Sequence, residues 1–172
     1  MRPQTHHIAC HMQSTLTPLI HPKSTQSQIF LLIALVVVAG TSFLGSALTT
    51  PSIPTWYAAL NKPWFNPPNW VFPVAWTSLF LLMAFSFWRI LRQVNGGRPR
   101  TIAIVAFILQ LVVNVSWSLA FFAAQNIGAG LVVGILLVAA VAWMVVAFRR
   151  IDPLAGNVQL PYLAWVSFAL VL

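Results

Sequence analysis

The chain has 172 residues, 59% apolar and only 6% charged, with nine Lys/Arg against the single acid Asp152 and a net charge of +8. A soluble domain carries about 25% charged residues because it needs a solvated surface, so this composition, with a mean hydropathy of +0.85, describes a membrane protein. One carboxylate excludes paired Asp/Glu acid-base sites, carboxylate cages for Ca²⁺ and chains of intramembrane carboxylates for proton coupling.

Residues 1–28 are polar, without the apolar stretch and small-residue cleavage site of a secretory signal, and read as a flexible extension with Met12 as a candidate start. His6, His7, Cys10, His11 and His21 all fall in this segment. A Ser-His-Asp or Cys-His site, or a His-ligated zinc or haem, is therefore not expected within the bilayer. The run His6, His7, Cys10, His11 has metal-binding residue types but no second cluster, and reads as tail. No catalytic residue, metal ligand or required cofactor is assigned, and one Cys allows no internal disulfide.

The remainder, 29–172, reads as one transmembrane domain of five apolar blocks. Ile29–Leu48 is a 20-residue run without a charge, enough to cross about 30 Å of hydrocarbon. Val71–Leu91 is the second span, with Pro73 tolerable in the first turn and Arg89 able to snorkel. Thr101–Ala124 and Ile127–Phe148 follow, and since only Gln125 and Asn126 part them they must be antiparallel neighbours. Asp152 then Pro153 reads as an N-cap with proline at N1. Leu160–Leu172 is 13 residues, about 20 Å of helix; it is either half a span or a truncated fifth helix, and truncation is the expectation. The fold class is thus an all-α membrane protein, a five-transmembrane-helix bundle.

Odd-numbered crossings place eight of the nine basic residues on one side, with Lys62 alone opposite. By the positive-inside rule the N-terminus is cytoplasmic and the first loop faces outward. The charges are spread over short juxtamembrane loops with no basic face, so nucleic acid is not an expected partner.

That first loop, Thr49–Trp70, holds Pro51, Pro54, Pro63, Pro67 and Pro68 together with Trp56, Tyr57, Trp64, Phe65 and Trp70. The prolines stiffen it. Leaving so many rings in water costs roughly 25 cal/mol per Å², so they are expected to fold over the bundle or a ligand as a lid; an interfacial aromatic belt is the alternative. In the third span Gln110 and Asn114 share one face, continued by Trp117 and Phe121. Each amide needs a partner, either another helix or a ligand. Trp76, Phe80, Met83 and Phe87 form a stripe in the second span, and Tyr162, Trp165 and Ala169 another in the last. Converging stripes of rings with a few amides and no fixed charge suit a flat, apolar, conjugated ligand such as a tetrapyrrole, sterol or drug-like heterocycle. Gly130-xxx-Gly134 and Thr41-xxx-Gly45 are small-residue pairs that serve bundle packing or a dimer.

Four ordered stretches carry a resemblance: Trp56-Tyr57-x-x-Leu60-x-Lys62-Pro63; Pro67-Pro68-x-Trp70-x-Phe72-Pro73-x-x-Trp76-Thr77; Gln110-Leu111-x-x-Asn114-x-x-Trp117; and Pro161-Tyr162-x-x-Trp165-x-x-Phe168-Ala169. Over 29–172 the chain resembles the TspO family of tryptophan-rich sensory and translocator proteins. The resemblance implies a five-helix bundle, commonly a homodimer in the lipid bilayer of bacteria, whose first loop closes over a pocket for porphyrins, haem and synthetic isoquinoline or benzodiazepine ligands. It implies sensing or regulation in tetrapyrrole and stress responses; light- and oxygen-dependent porphyrin degradation and passive transport of porphyrin or sterol are the alternatives. Carried over by position, the ligand-binding residues are Trp56, Tyr57, Trp76, Asn114, Trp117, Trp165 and Ala169, with Lys62 as a propionate contact. The departures are Phe65, where such proteins usually carry tryptophan, with Trp64 one place earlier, and Phe80, where tyrosine is common.

Overall fold

The computed structural model describes residues 24–93 and 97–172, and among these every regular element is helical. Helix α1, Ser24–Thr49, begins five residues inside the segment read as an extension. Its polar first turn is tied down, for the Trp88 indole Nε1 donates to the Ser27 carbonyl at 3.1 Å. The candidate metal run at His6, His7, Cys10 and His11 lies outside the described residues. Helix α2, Val71–Leu91, has the bounds expected.

Helix α3, Gly97–Ser118, starts four residues earlier than the apolar run suggests. Pro99 lacks an N–H that the first turn would leave unpaired in any case. The expected helix through Ala124 is interrupted, because Leu119–Ala123 winds into a π-turn. Gln125 then takes a positive φ of 52°, and the Asn126 side chain caps α4, Ile127–Arg149, by accepting from the Ala129 amide at 2.9 Å.

The Asp152-Pro153 cap forms as expected. Its carboxylate accepts from the amides of Leu154 (3.0 Å) and Ala155 (3.2 Å), but it opens a separate short helix, α5 (Pro153–Asn157), ahead of α6 (Leu160–Ala169). Among the described residues four helices, α1 to α4 with their flanking turns, are long and apolar enough to cross a membrane. Helix α6, at ten residues, spans only about 15 Å.

The core lies at the end of the bundle that carries the α2–α3 and α4–α5 corners. Phe87 and Phe107 stack there at 4.0 Å and 10°, with Phe148 6.1 Å further on, and Met83, Ile90 and Met144 are fully buried around them. Leu32, Val36 and Phe43 on α1 face outward, which suits contact with lipid, whose tails are as apolar as the side chains. Gly130 and Gly134 face inward: a Cβ at Gly130 would come 2.6 Å from Phe121 Cδ2, and one at Gly134 would meet Leu170 and the Trp117 indole. This small-residue pair serves packing within the bundle.

One ion pair crosses the α2–α5 corner, from Arg89 Nε to Asp152 Oδ2 at 2.7 Å. Burial alone would raise the Asp152 pKa, but the Arg89 guanidinium and the amides of Ala155 and Leu154 outweigh it and hold the carboxyl below its ordinary value. A depressed folded pKa stabilises the protein above the unfolded value of about 4, and that contribution is lost as pH falls through the folded value. Because Asp152 is the only acidic side chain, wild-type thermal stability should fall on acidification below about pH 4, while Asp152→Asn should start lower and stay nearly flat. Parallel curves from melts across pH would contradict this assignment.

Candidate functional site: an aromatic cavity at the loop end of the bundle

The π-turn shapes the upper part of the bundle. Its register sends the Ala124 amide to Leu119 O (2.8 Å) and the Asn126 amide to Ala120 O (3.2 Å). The Phe122 carbonyl, which would accept from Asn126 in a continuing α-helix, is thereby released, and an unmet buried carbonyl is costly. Ser52, at the start of the first loop, answers it: the buried hydroxyl donates to Phe122 O at 2.8 Å. The loop is held again by its rings. Trp56 packs edge-on against Phe121 (5.1 Å, 71°), and Tyr57 lies against Phe122 (5.7 Å) and Phe72 (6.5 Å).

Lys62 stiffens the same segment. Its Nζ donates to the carbonyls of Tyr57 (2.6 Å), Leu60 (3.2 Å) and Ala58 (3.4 Å), and lies 4.6 Å from the Tyr57 ring centroid. Three N–H donors meet three carbonyls, so the ammonium closes the end of the 3₁₀ turn Tyr57–Ala59. The Tyr57 hydroxyl donates to Asn66 Oδ1 at 3.3 Å; burial pushes this phenol's pKa up, with the Asn66 bond opposing. The expectation that all the loop rings fold inward is corrected at two of them. Trp64 is 96% exposed and Trp70 68%, in the manner of an interfacial belt, because the proline-set backbone turns them away from the bundle.

Beneath the loop lies a cavity of about 920 Å³. Of the residues singled out in the sequence, Tyr57, Lys62, Trp76, Asn114, Trp117, Trp165 and Ala169 line it. Trp56 does not, as it packs on Phe121, which does. Trp117 stacks flat on Phe121 (5.3 Å, 5°), Trp76 tilts against Phe80 (5.6 Å), and Trp165 meets Phe72 edge-on (5.9 Å). Among the described lining residues no side chain is a carboxylate, imidazole or thiol.

Polar groups sit at defined points on this apolar wall. Asn114 Nδ2 donates to the Tyr162 hydroxyl (2.9 Å), which donates to Gln110 Oε1 (3.0 Å). Gln110 thus bonds to another helix, whereas Asn114 does so and also faces the cavity. The buried Trp165 Nε1 has no acceptor among the described residues. Ser42, Ser46 and Thr49 of α1 bring hydroxyls to the opposite wall. Sequence reasoning missed that stripe, although its i, i+4, i+7 spacing was readable. It also missed Ser52 and Phe122, whose roles exist only once the π-turn has formed.

Among the described residues, four long apolar helices and a ring-walled cavity beside a proline- and tryptophan-rich segment define a polytopic membrane protein. Comparison with known proteins is specific: residues 32–172 match the TspO/MBR family, and the chain belongs to that family. It is 38% identical over 127 residues to the tryptophan-rich protein TspO of Chlorobaculum tepidum, covering 74% of this chain and 80% of that one. To the tryptophan-rich sensory protein of Cereibacter sphaeroides it is 37% identical over 142 residues, covering 81% and 84%. To the translocator protein of Homo sapiens it is 32% identical over 131 residues, covering 76% and 78%.

Proposed function

We propose that this protein binds porphyrin or haem, and other flat hydrophobic molecules, in the ring-walled cavity, and acts as a membrane sensor or regulator in tetrapyrrole and stress responses. The supporting observation is the cavity itself: about 920 Å³, with the rings of Trp76, Trp117 and Trp165 on its walls and Lys62 as the only charged side chain among the described lining residues. Such a site rewards face contact with a conjugated macrocycle, each ring pair adding on the order of 1 kcal/mol beyond area burial. The first loop serves as the lid of a five-helix bundle. A ligand carboxylate is held by exchanging with a carbonyl at the Lys62 ammonium. The basic end faces the cytoplasm, since among the described residues Arg89, Arg92, Arg98, Arg100, Arg149 and Arg150 lie there and Lys62 alone lies at the other. A homodimer uses a face other than Gly130 and Gly134, which are buried.

Protoporphyrin titrated into detergent-solubilised protein should quench tryptophan fluorescence saturably. Trp117→Ala with Trp165→Ala should weaken binding about 30-fold, two rings at roughly 1 kcal/mol each. Trp56→Ala should matter less, because Trp56 sits behind Phe121. Unchanged affinity in the double variant would overturn the reading.

A second reading is favoured by the oxidisable rings that line the cavity, Tyr57, Trp76, Trp117 and Trp165. One of them would give an electron to the light-excited porphyrin, with dioxygen as the terminal oxidant and the macrocycle as the group degraded. Bleaching under light in air should then be faster with this protein than with an equal concentration of a tryptophan-free membrane protein. Passive carriage of porphyrin or sterol is a third reading, decided by uptake into liposomes.

A further inference from the structure

The end of the bundle opposite the cavity carries Arg89, Arg92, Arg98, Arg100, Arg149 and Arg150, and its one carboxylate, Asp152, is already engaged by Arg89 and two amides. Arg149 has a partner in Asn157, Nε to Oδ1 at 2.8 Å. Arg89 also lies near a ring, 5.8 Å from the Phe85 centroid, but its Nε is taken by Asp152; among the described residues Arg92 and Arg100 have ring contacts without an anion. The Arg92 guanidinium lies 4.6 Å from the Trp88 ring centroid, and that of Arg100 lies 6.0 Å from the Phe30 centroid. Trp88 is itself fixed by its bond to Ser27 O, so ring faces of α1 and α2 orient both cations. They are neighbours, because Arg100 Nη2 donates to the carbonyl of Leu91, the residue before Arg92, at 2.7 Å. The buried Nε of each has no acceptor among the described residues.

We infer that Arg92 and Arg100, at the facing ends of α2 and α3, form a binding site for the phosphate headgroup of an anionic phospholipid. Guanidinium forks oriented on ring faces match the paired oxygens of a phosphodiester. Ring-face attraction positions them without neutralising their charge, and N–H groups left unpaired in a partly buried site are costly until an acceptor arrives. Arg92 closes a membrane-length helix and Arg100 lies in the first turn of the next, which is headgroup depth. The apolar surface begins beside them, with Ile29, Ile102 and Val105 exposed. Acyl chains can cover that surface and free phosphate cannot, which selects lipid over a soluble anion. Basic pockets between membrane helices are suited to such headgroups.

The test uses the full chain in nanodiscs of phosphatidylcholine with or without phosphatidylglycerol, reading retained phosphatidylglycerol by native mass spectrometry together with the thermal midpoint. Wild type should retain phosphatidylglycerol and melt higher in its presence. R92Q/R100Q should retain about tenfold less and lose the shift. R98Q/R150Q removes the same charge from exposed positions at the same end and should behave as wild type. R92K/R100K keeps the charge without the fork, should fall between, and carries the test if the glutamine pair folds poorly. The inference is overturned if R98Q/R150Q loses as much lipid as R92Q/R100Q, which is diffuse charge attraction. It is equally overturned if inorganic phosphate in pure phosphatidylcholine reproduces the shift, which is a soluble-anion site, or if phosphatidylglycerol is retained no better than phosphatidylcholine.

Discussion

Gly156→Ala should destabilise the protein by about 3 kcal/mol, at the upper end of what overpacking costs. A Cβ at this position in α5 would lie 2.8 Å from the backbone nitrogen of Arg149 and 3.0 Å from the carbonyl oxygen of Val145, and would also overlap Arg149 Cγ. Two of these obstacles are α4 backbone, which cannot rotate aside as a side chain can. Relief therefore means moving α5 off α4, and α5 is where Asp152 caps the helix and meets Arg89. Two other glycines meet softer obstacles. At Gly134 the severe contact is the far end of the Leu170 side chain, which can swing away, so alanine there should be nearly silent in stability. At Gly130 the obstacle is the Phe121 ring at 2.6 Å, a cavity wall, so alanine there should change ligand affinity more than the melting point. Thermal melts of the three variants in one detergent should rank Gly156 well below the others. If Gly156→Ala melts with Gly134→Ala, the close α4–α5 approach is not present in solution.

The long elements were legible because their signal is local. Uncharged runs of about 20 residues have one low-energy solution in hydrocarbon, and α2 occupies Val71–Leu91 as its sequence indicates. The π-turn at Leu119–Ala123 was not legible, since that stretch reads as a continuous apolar helix; what makes the turn tolerable is Ser52, sixty-seven residues before Leu119, meeting the carbonyl it frees. Helix α5 escaped for a similar reason: Asp152-Pro153 announced a cap, but only the fold brings Arg89 to it.

Around the cavity, side-chain direction was legible where a helix dictates it. Trp76, Asn114, Trp117 and Trp165 sit on faces that a 3.6-residue period assigns, and all four line the cavity. In the loop, composition counted rings but could not aim them. Trp64 and Trp70 point away from the bundle, and Trp56 supports the wall through Phe121. The bonds of Lys62 were not legible either, because the three carbonyls around its ammonium are gathered by a 3₁₀ turn that proline-rich sequence does not specify.

Tyr162→Phe should combine a stability loss of about 2 kcal/mol with weaker ligand binding, although Tyr162 lines no part of the cavity. Its hydroxyl accepts from Asn114 and donates to Gln110 in a fully buried position. Deleting it strands an amide donor and an amide acceptor, each worth about 1–3 kcal/mol when left unpaired in a dry interior; re-pairing within the bilayer trims the sum. Gln110 fares worst, because its Nε2 has no acceptor among the described residues even in the wild type. Adding Gln110→Leu to Tyr162→Phe removes the stranded Gln110 amide and should recover about half of the lost stability, a coupling that a double-mutant cycle reads directly. Affinity should behave differently. Tyr162 is a positioning residue for Asn114, and the second substitution does nothing to re-aim that amide, so protoporphyrin binding should stay about tenfold weaker in both Tyr162→Phe and the double variant, the equivalent of one misdirected hydrogen bond. If affinity returns together with stability, Tyr162 acts through packing alone, and Asn114 needs no such support to face a ligand.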